Sequence, residues 1–183
     1  MNINIIKNLF LKTLNKTLIY LVAVIGMLAA CGLFSSEVYT FVVEHARTEE
    51  QMQWGLMQRR FLPENHGMLF HYSHPQKVNF WSFNCYIDLS VAFIDEKRVI
   101  REIKPLKACS KKMDPSRPVF SSRDFSFYPA LDPIVVFFEK ASISSSVPVK
   151  YVLEMNLGWF ERNRVRVGDV LCWDDRSNVA FFN

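Results

Sequence analysis

Apolar and polar positions divide the chain into one continuous apolar run and a series of short alternating segments. The run covers residues 18–31, Leu-Ile-Tyr-Leu-Val-Ala-Val-Ile-Gly-Met-Leu-Ala-Ala-Cys. Beyond it, Glu37 to Ala46 alternates Val38, Thr40 and Val42 against Tyr39, Phe41 and Val43, a period of two that predicts a strand. Thr48-Glu49-Glu50-Gln51 then has the form of a capping box. The Thr hydroxyl accepts from the third amide of a new helix, Gln51 reaches back, and the two acids suit the positive helix start. A short helix over Glu49 to Met57 is predicted, with Met52 and Leu56 on one face. A turn at Pro63 to Gly67 leads into short strands over Gly67 to Tyr72 and Val78 to Phe83. Tyr86 to Asp95 is the clearest strand, with Ile87, Leu89, Val91 and Phe93 on one side. Asp95-Glu96-Lys97 turns it into Val99 to Ile103 as a hairpin.

From about residue 105 to 146 the alternation lapses. Five of the eight prolines fall between Pro105 and Pro133, among Ser116, Ser121 and Ser122, which predicts a long irregular insertion. Ile134 to Phe138 and Lys150 to Asn156 return to strand character, and Trp159 to Asn163 predicts a helical turn. Val170 to Trp173 and Val179 to Phe182 predict a terminal hairpin around Asp174-Asp175. Many short strands and one early helix predict a mainly β fold: a small single-domain β sandwich or partly closed barrel with one short helix.

The apolar run has a different reading. Lys7, Lys12 and Lys16 precede it and no acidic residue comes before Glu37, the charge layout of a secretory signal. The 13 residues Leu18 to Ala30 are fewer than the roughly 20 that a membrane-spanning helix needs. With Leu28, Ala29 and Ala30 ahead of Cys31, the segment resembles a bacterial lipoprotein signal peptide with its lipobox. The resemblance implies a signal peptide over 1–30, a tether over 31–36 and a domain over 37–183. It also implies acylation of Cys31, which anchors the chain in a membrane. Gly32, where an Asp would retain the protein elsewhere, implies the outer membrane, with the domain facing the periplasm. An uncleaved signal anchor is the competing reading.

Removing the leader changes the charge balance. The formal charge of +4 loses three lysines and no acid, and falls to +1. The basic isoelectric point is therefore largely a property of the leader, and a nucleic-acid partner is set aside. About 150 residues remain, enough for one domain with a substantial core. Sixteen phenylalanines predict that this core is rich in aromatics. With Cys31 assigned to lipid, Cys85, Cys109 and Cys172 are an odd set, so at least one thiol is free. No Cys-x-x-Cys pair marks a zinc or redox site, and neither metal nor cofactor is predicted.

Gly55-Leu56-Met57-Gln58-Arg59, Gly67-Met68-Leu69-Phe70, and Lys150 to Asn156 with Gly158-Trp159 and Val167-Gly168-Asp169 together resemble a bacterial and archaeal family, domain of unknown function 192. Phe80-Trp81-Ser82-Phe83-Asn84-Cys85 through Asp95 resembles its Phe-Trp-Met-Lys-Asn-Thr block. The resemblance runs from about residue 38 to 173 and implies a compact, mostly β domain with one short helix, often exported. Ser82-Phe83 stand in place of the usual Met-Lys, Cys85 in place of Thr, and Asp88 and Ser90 where Pro and Asp are common. The 105–146 stretch exceeds the family norm.

Among the glycines, Gly67 is expected to take a positive backbone torsion, Gly158 to end the strand Tyr151 to Asn156, and Gly168 to form a turn. Trp81 beside Asn84 at a strand end offers a stacking face with an amide next to it, as sites for sugars and small polar ligands do. The Gly55 to Arg59 segment completes this candidate ligand site. Glu154 is read either as a desolvated acid or base or as a surface carboxylate paired to Arg162 or Arg164. Cys85 reads as a packing residue in preference to a nucleophile served by His45, His66, His71 or His74. His71-x-x-His74 is weak as a metal pair, since a strand would turn the two to opposite faces and no third ligand is marked; they read as solvated loop histidines. Lys104, Lys107, Lys111 and Lys112 form a basic cluster, solvated or drawn to anionic headgroups. The function expected is therefore a lipid-anchored envelope protein acting as a ligand-binding or assembly module. Its partners are the membrane and an envelope protein or glycan, its candidate residues Trp81, Asn84, Arg59 and Glu154. The alternative is a glycan-directed hydrolase or transferase using Glu154 or Asp88 as acid or base.

Overall fold

Alternation along the chain becomes a strongly curled sheet. The structure, a computed structural model, describes residues 39–82, 85–108 and 131–183. Strands β1 (Thr40–Ala46), β2 (His66–Gln76), β4 (Leu89–Ile94), β5 (Ile100–Leu106), β7 (Val149–Asn156), β8 (Leu171–Trp173) and β9 (Val179–Phe182) form one sheet in the order β5-β4-β7-β2-β1-β9-β8. Strands β3 (Asn79–Phe80) and β6 (Ile143–Ser144) pair separately. Helices α1 (Glu49–Trp54), α2 (Pro133–Ala141) and α3 (Trp159–Arg162) complete the elements. Within the large sheet only β1 and β2 run parallel; the other neighbours are antiparallel. Tyr39–Asn183 forms one compact unit.

The two edges of the sheet meet at one end. Val99 bridges Val170, the Ile100 amide donates to the Asp169 carbonyl over 2.9 Å, and the Leu171 amide donates to the Arg98 carbonyl over 2.9 Å. A mainly β, partly closed barrel results, one of the two architectures that the pattern predicted. Its interior holds Phe41, Leu69, Ile94, Leu153 and Trp159 together with Ile100 from one edge and Leu171 from the other. The outer face carries a second apolar layer in which Met68, Phe70, Val91, Phe93 and Val152 are covered by Leu56, Leu62, Phe80 and Cys85. All six residues of β4 are buried because this strand is covered on both faces.

Local signals in the sequence carry through. Thr48 caps α1, its hydroxyl accepting from the Gln51 amide over 3.2 Å while the Gln51 side chain accepts from the Thr48 amide over 3.1 Å. Met52 and Leu56 both pack against the outer layer. The Asp95 side chain accepts from the amides of Lys97 and Val99 and closes the β4–β5 turn. The terminal hairpin forms as β8 and β9. Cys85 is buried and Cys172 is a half-buried free thiol.

Three expectations are corrected. Ile134 to Phe138 lies in helix α2, not in a strand; an apolar run of five suits either element, and Pro133 is well placed in a first helical turn where no amide partner is lost. Of the strand expected over Val78 to Phe83, the described residues 78–82 form strand only at Asn79–Phe80, paired with the two-residue β6. Gly67 has no positive backbone torsion. Its requirement is close approach: a Cβ there would overlap Met155 Sδ and the Glu154 carbonyl. The leader, Cys31 with its tether, Asn84, Cys109, Lys111 and Lys112 lie outside the described residues. Among the described residues no helix is long and apolar enough to cross a membrane.

Candidate functional site

Glu154 sits near the middle of β7, opposite Met68 of β2 on one side and Val91 of β4 on the other. Because side chains alternate along a strand, it shares the outer face with Val152 while Leu153 and Met155 enter the barrel. The covering layer then encloses it, leaving it 4% exposed. Among the described residues its carboxyl has no hydrogen-bond or ion-pair partner. Burial alone pushes its pKa up to about 8.

This carboxyl lines a cavity of about 80 Å³. Phe70 and Tyr72 of β2 share the wall with Phe80 and Trp81, and Trp54, Gly55 and Cys85 stand beside them. Several contacts position these groups. Gly55 ends α1 with φ of 50°, a torsion that Cβ-bearing residues rarely adopt, and folds the chain back over Phe70. The β3–β6 pair is extended by the Val78 amide, which donates to the Ser145 hydroxyl over 3.0 Å. The buried Ser82 hydroxyl donates to the Lys107 carbonyl, and the Cys85 amide donates to the Ser82 carbonyl over 3.2 Å. Phe70 and Phe80 meet edge to face at 5.0 Å. Tyr72 is held neutral, its pKa raised to about 12 by burial and then by the Glu154 charge.

Trp81 and Glu154, two of the residues singled out from sequence, therefore meet in one cavity. Arg59 does not join them. Its guanidinium forms a two-pronged pair with Glu44, one arm at 2.6 Å, in a neighbouring hollow of about 310 Å³ that shares Trp54 and Gly55 with the cavity. The hydrogen bonds to Arg59 hold the Glu44 carboxyl below its ordinary pKa and those to Glu44 raise Arg59. The hollow is the larger of the two, but its charged pair is already satisfied, whereas the carboxyl in the smaller one is not. Glu154 is not a surface partner of Arg162, whose guanidinium donates to the Leu157 carbonyl over 2.9 Å.

Asp88 is half-buried, bound to Lys107 at 2.8 Å and to the Ala108 amide at 2.8 Å, and held below its ordinary pKa chiefly by Lys107. It does not line the cavity. Lys104 pairs with Glu102, so both described members of the basic cluster are engaged.

The histidines depart from expectation. His45 and His71 are partly buried strand residues whose rings bond at 2.8 Å, Nδ1 to Nε2, on the barrel-interior side. His71 also meets the edges of Tyr151 and Trp173. Burial first, then the Arg47 and His45 charges, lower its pKa to about 4. This pair faces away from Cys85, which belongs to the outer layer. Among the described residues no cluster of three metal-ligating side chains occurs.

Sequence pattern does not single out Tyr72, Phe70 and Trp54. Phe70 and Tyr72 share the strand parity of Met68, and Trp54 closes the capped helix, so a signal is present. What is missing from it is the covering segment that brings these faces together.

Fold and cavity together define a partly closed, mostly antiparallel barrel with a small site on its outer face. Residues 33–123 match the profile of DUF192, described as "Uncharacterized ACR". The chain belongs to this family. The match stops before β7, while the resemblance carried by the motifs continues to about residue 173. A crystal structure of a candidate transcription regulator from Sinorhizobium meliloti 1021 is similar, 32% identical with a TM-score of 0.51, covering 71% of this chain and 79% of that one. A protein of unknown function from Novosphingobium aromaticivorans DSM 12444 is 26% identical, with a TM-score of 0.52, and covers 73% of this chain and 75% of that one. A search of curated proteins finds no match.

Proposed function

We propose that this chain is a lipid-anchored cell-envelope protein whose β domain is a ligand-binding module, with the Glu154 cavity as its site. Acylated Cys31 tethers the domain to the membrane, and the bound group belongs to an envelope glycan or protein. One observation carries the binding reading: a buried carboxyl without a partner among the described residues, lining a cavity walled by aromatic side chains. A buried polar group left without a hydrogen bond costs about 1–3 kcal/mol, and a ligand that donates to it offsets that cost. The hydrolase reading is not favoured. Glycan hydrolysis by paired acids needs two carboxyls across a pocket, and Glu154 is alone among the described lining residues. The regulator description of the Sinorhizobium relative is not extended to this chain. Without the leader its formal charge is +1, a weak basis for holding a phosphate backbone.

The test uses full-length protein extracted in detergent and titrated with small alcohols, amides and amines, read by thermal unfolding. At least one class stabilises the parent protein, and the response is lost in Trp81→Ala combined with Asn84→Ala. A parent that responds to no class overturns the binding reading. For the anchor, intact mass reports a fatty-acylated Cys31, and Cys31→Ser releases the protein from membranes. An unacylated chain that retains Met1 overturns it.

A further inference from the structure

We infer that the Glu154 cavity is a receptor for a small organic ammonium group, carried at the end of a longer molecule. The inference rests on the binding reading above and names the chemistry of its ligand. Three features select a cation. The first is the carboxyl itself, enclosed at 4% exposure without a donor among the described residues. An ammonium brings both the opposite charge and the N–H donors that a buried carboxylate requires. The second is the wall. Trp54, Phe70, Tyr72, Phe80 and Trp81 border the cavity, and the negative faces of such rings attract alkylammonium ions. The third is the absence of Lys, Arg and His among the described lining residues. An anionic ligand would meet one acid and no base among these residues, which disfavours it.

Size sets the rest. About 80 Å³ admits a charged head with one or two carbons, not a whole sugar ring or amino acid. The remainder of the ligand lies outside, past Trp54 and Gly55, which also border the open hollow of Glu44 and Arg59. A primary ammonium satisfies the carboxyl better than a quaternary one, because it donates hydrogen bonds.

The described surroundings do not supply an internal substitute for the ligand. Tyr72 and Cys85 are the other titratable side chains among the described lining residues. In the same cross-strand row Glu44 lies beyond Met68, already paired with Arg59, and Lys104 lies beyond Val91, already paired with Glu102. Entry of a cation therefore ionises Glu154, which releases one proton wherever the empty site holds its carboxyl protonated. The carboxyl in the empty site carries its proton up to about pH 8. Affinity should then rise roughly tenfold per pH unit from pH 6 to 8 and level off above.

Methylammonium is titrated calorimetrically into full-length protein in detergent, in two buffers of different ionisation enthalpy, with methanol and acetamide as neutral controls of similar size. Methylammonium is expected to bind roughly tenfold or more tightly than either control at pH 8, releasing close to one proton at pH 7. Glu154→Gln abolishes both the preference and the proton release, while Trp81→Ala weakens binding and keeps the proton release. n-Butylammonium and ethanolammonium then separate a lysine-like side chain from an amino-alcohol headgroup, and binding of either supports the ammonium site. Equal binding of the neutral probes, or full methylammonium affinity in Glu154→Gln, overturns the inference and leaves the binding reading standing. No binding by any probe overturns both.

Discussion

Burial of an acid in a β layer makes the stability of the ligand-free domain depend on pH in a way that one substitution removes. Glu154 ionises at about 4.5 when unfolded and at about 8 when buried. Between those values the folded protein holds a proton that the unfolded chain has released. Stability therefore falls as pH rises, by about 1.4 kcal/mol per unit, from about pH 4.5 until pH 8, and is flat beyond. At pH 7 the accumulated loss is about 3 kcal/mol, a large share of the 5–15 kcal/mol typical of a domain. Glu154→Gln keeps the shape and removes the titration. Its buried amide carries a cost of its own, but that cost is the same at every pH. The stability of the variant relative to its parent should accordingly increase by about 3 kcal/mol between pH 4.5 and 7. Urea unfolding of both proteins at pH 5, 6, 7 and 8 measures this, and contributions from other groups cancel in the difference. A difference that stays constant across the series refutes the burial argument.

The remaining predictions concern the other side of the sheet and its closest approach. His71, held neutral with a pKa of about 4, opposes the protonation that the unfolded chain undergoes below about 6.5, so its contribution is present above that pH and lost as pH falls toward 4. His71→Gln should lose less thermal stability than the parent between pH 7 and 4.5; equal losses would show that the pair is solvated. Gly67→Ala drives a methyl group into the Glu154 carbonyl and Met155 Sδ across the β2–β7 pair, and should destabilise the domain by about 3 kcal/mol in urea unfolding. A change under about 0.5 kcal/mol there would mean that the strands separate freely at this point.

Features that depend on a few neighbouring residues are legible in the amino-acid sequence. The Thr48 capping box, the Asp95 turn and the alternation of Leu89, Val91 and Phe93 each state their geometry within one turn or one strand. The element that contains Ile134 to Phe138 is not legible in this way, because a short apolar run suits a strand and a helix equally and only its surroundings decide between them. Gly67 stands out locally as a required glycine, but the cause is the approach of β7 from far along the chain and not the backbone torsion that a turn would demand.

The candidate site divides in the same way. Chain pattern alone determined a mainly β domain, its early capped helix, the family to which it belongs, and Trp81 and Glu154 as unusual residues. Tertiary structure decided that these two face one cavity, that Arg59 serves Glu44 in the adjoining hollow, and that Glu154 has no surface partner. Strand parity assigns a side chain to a face, but burial depends on what covers that face. Here the cover comes from α1, Gly55, β3 and Cys85, residues distant from Glu154 along the chain.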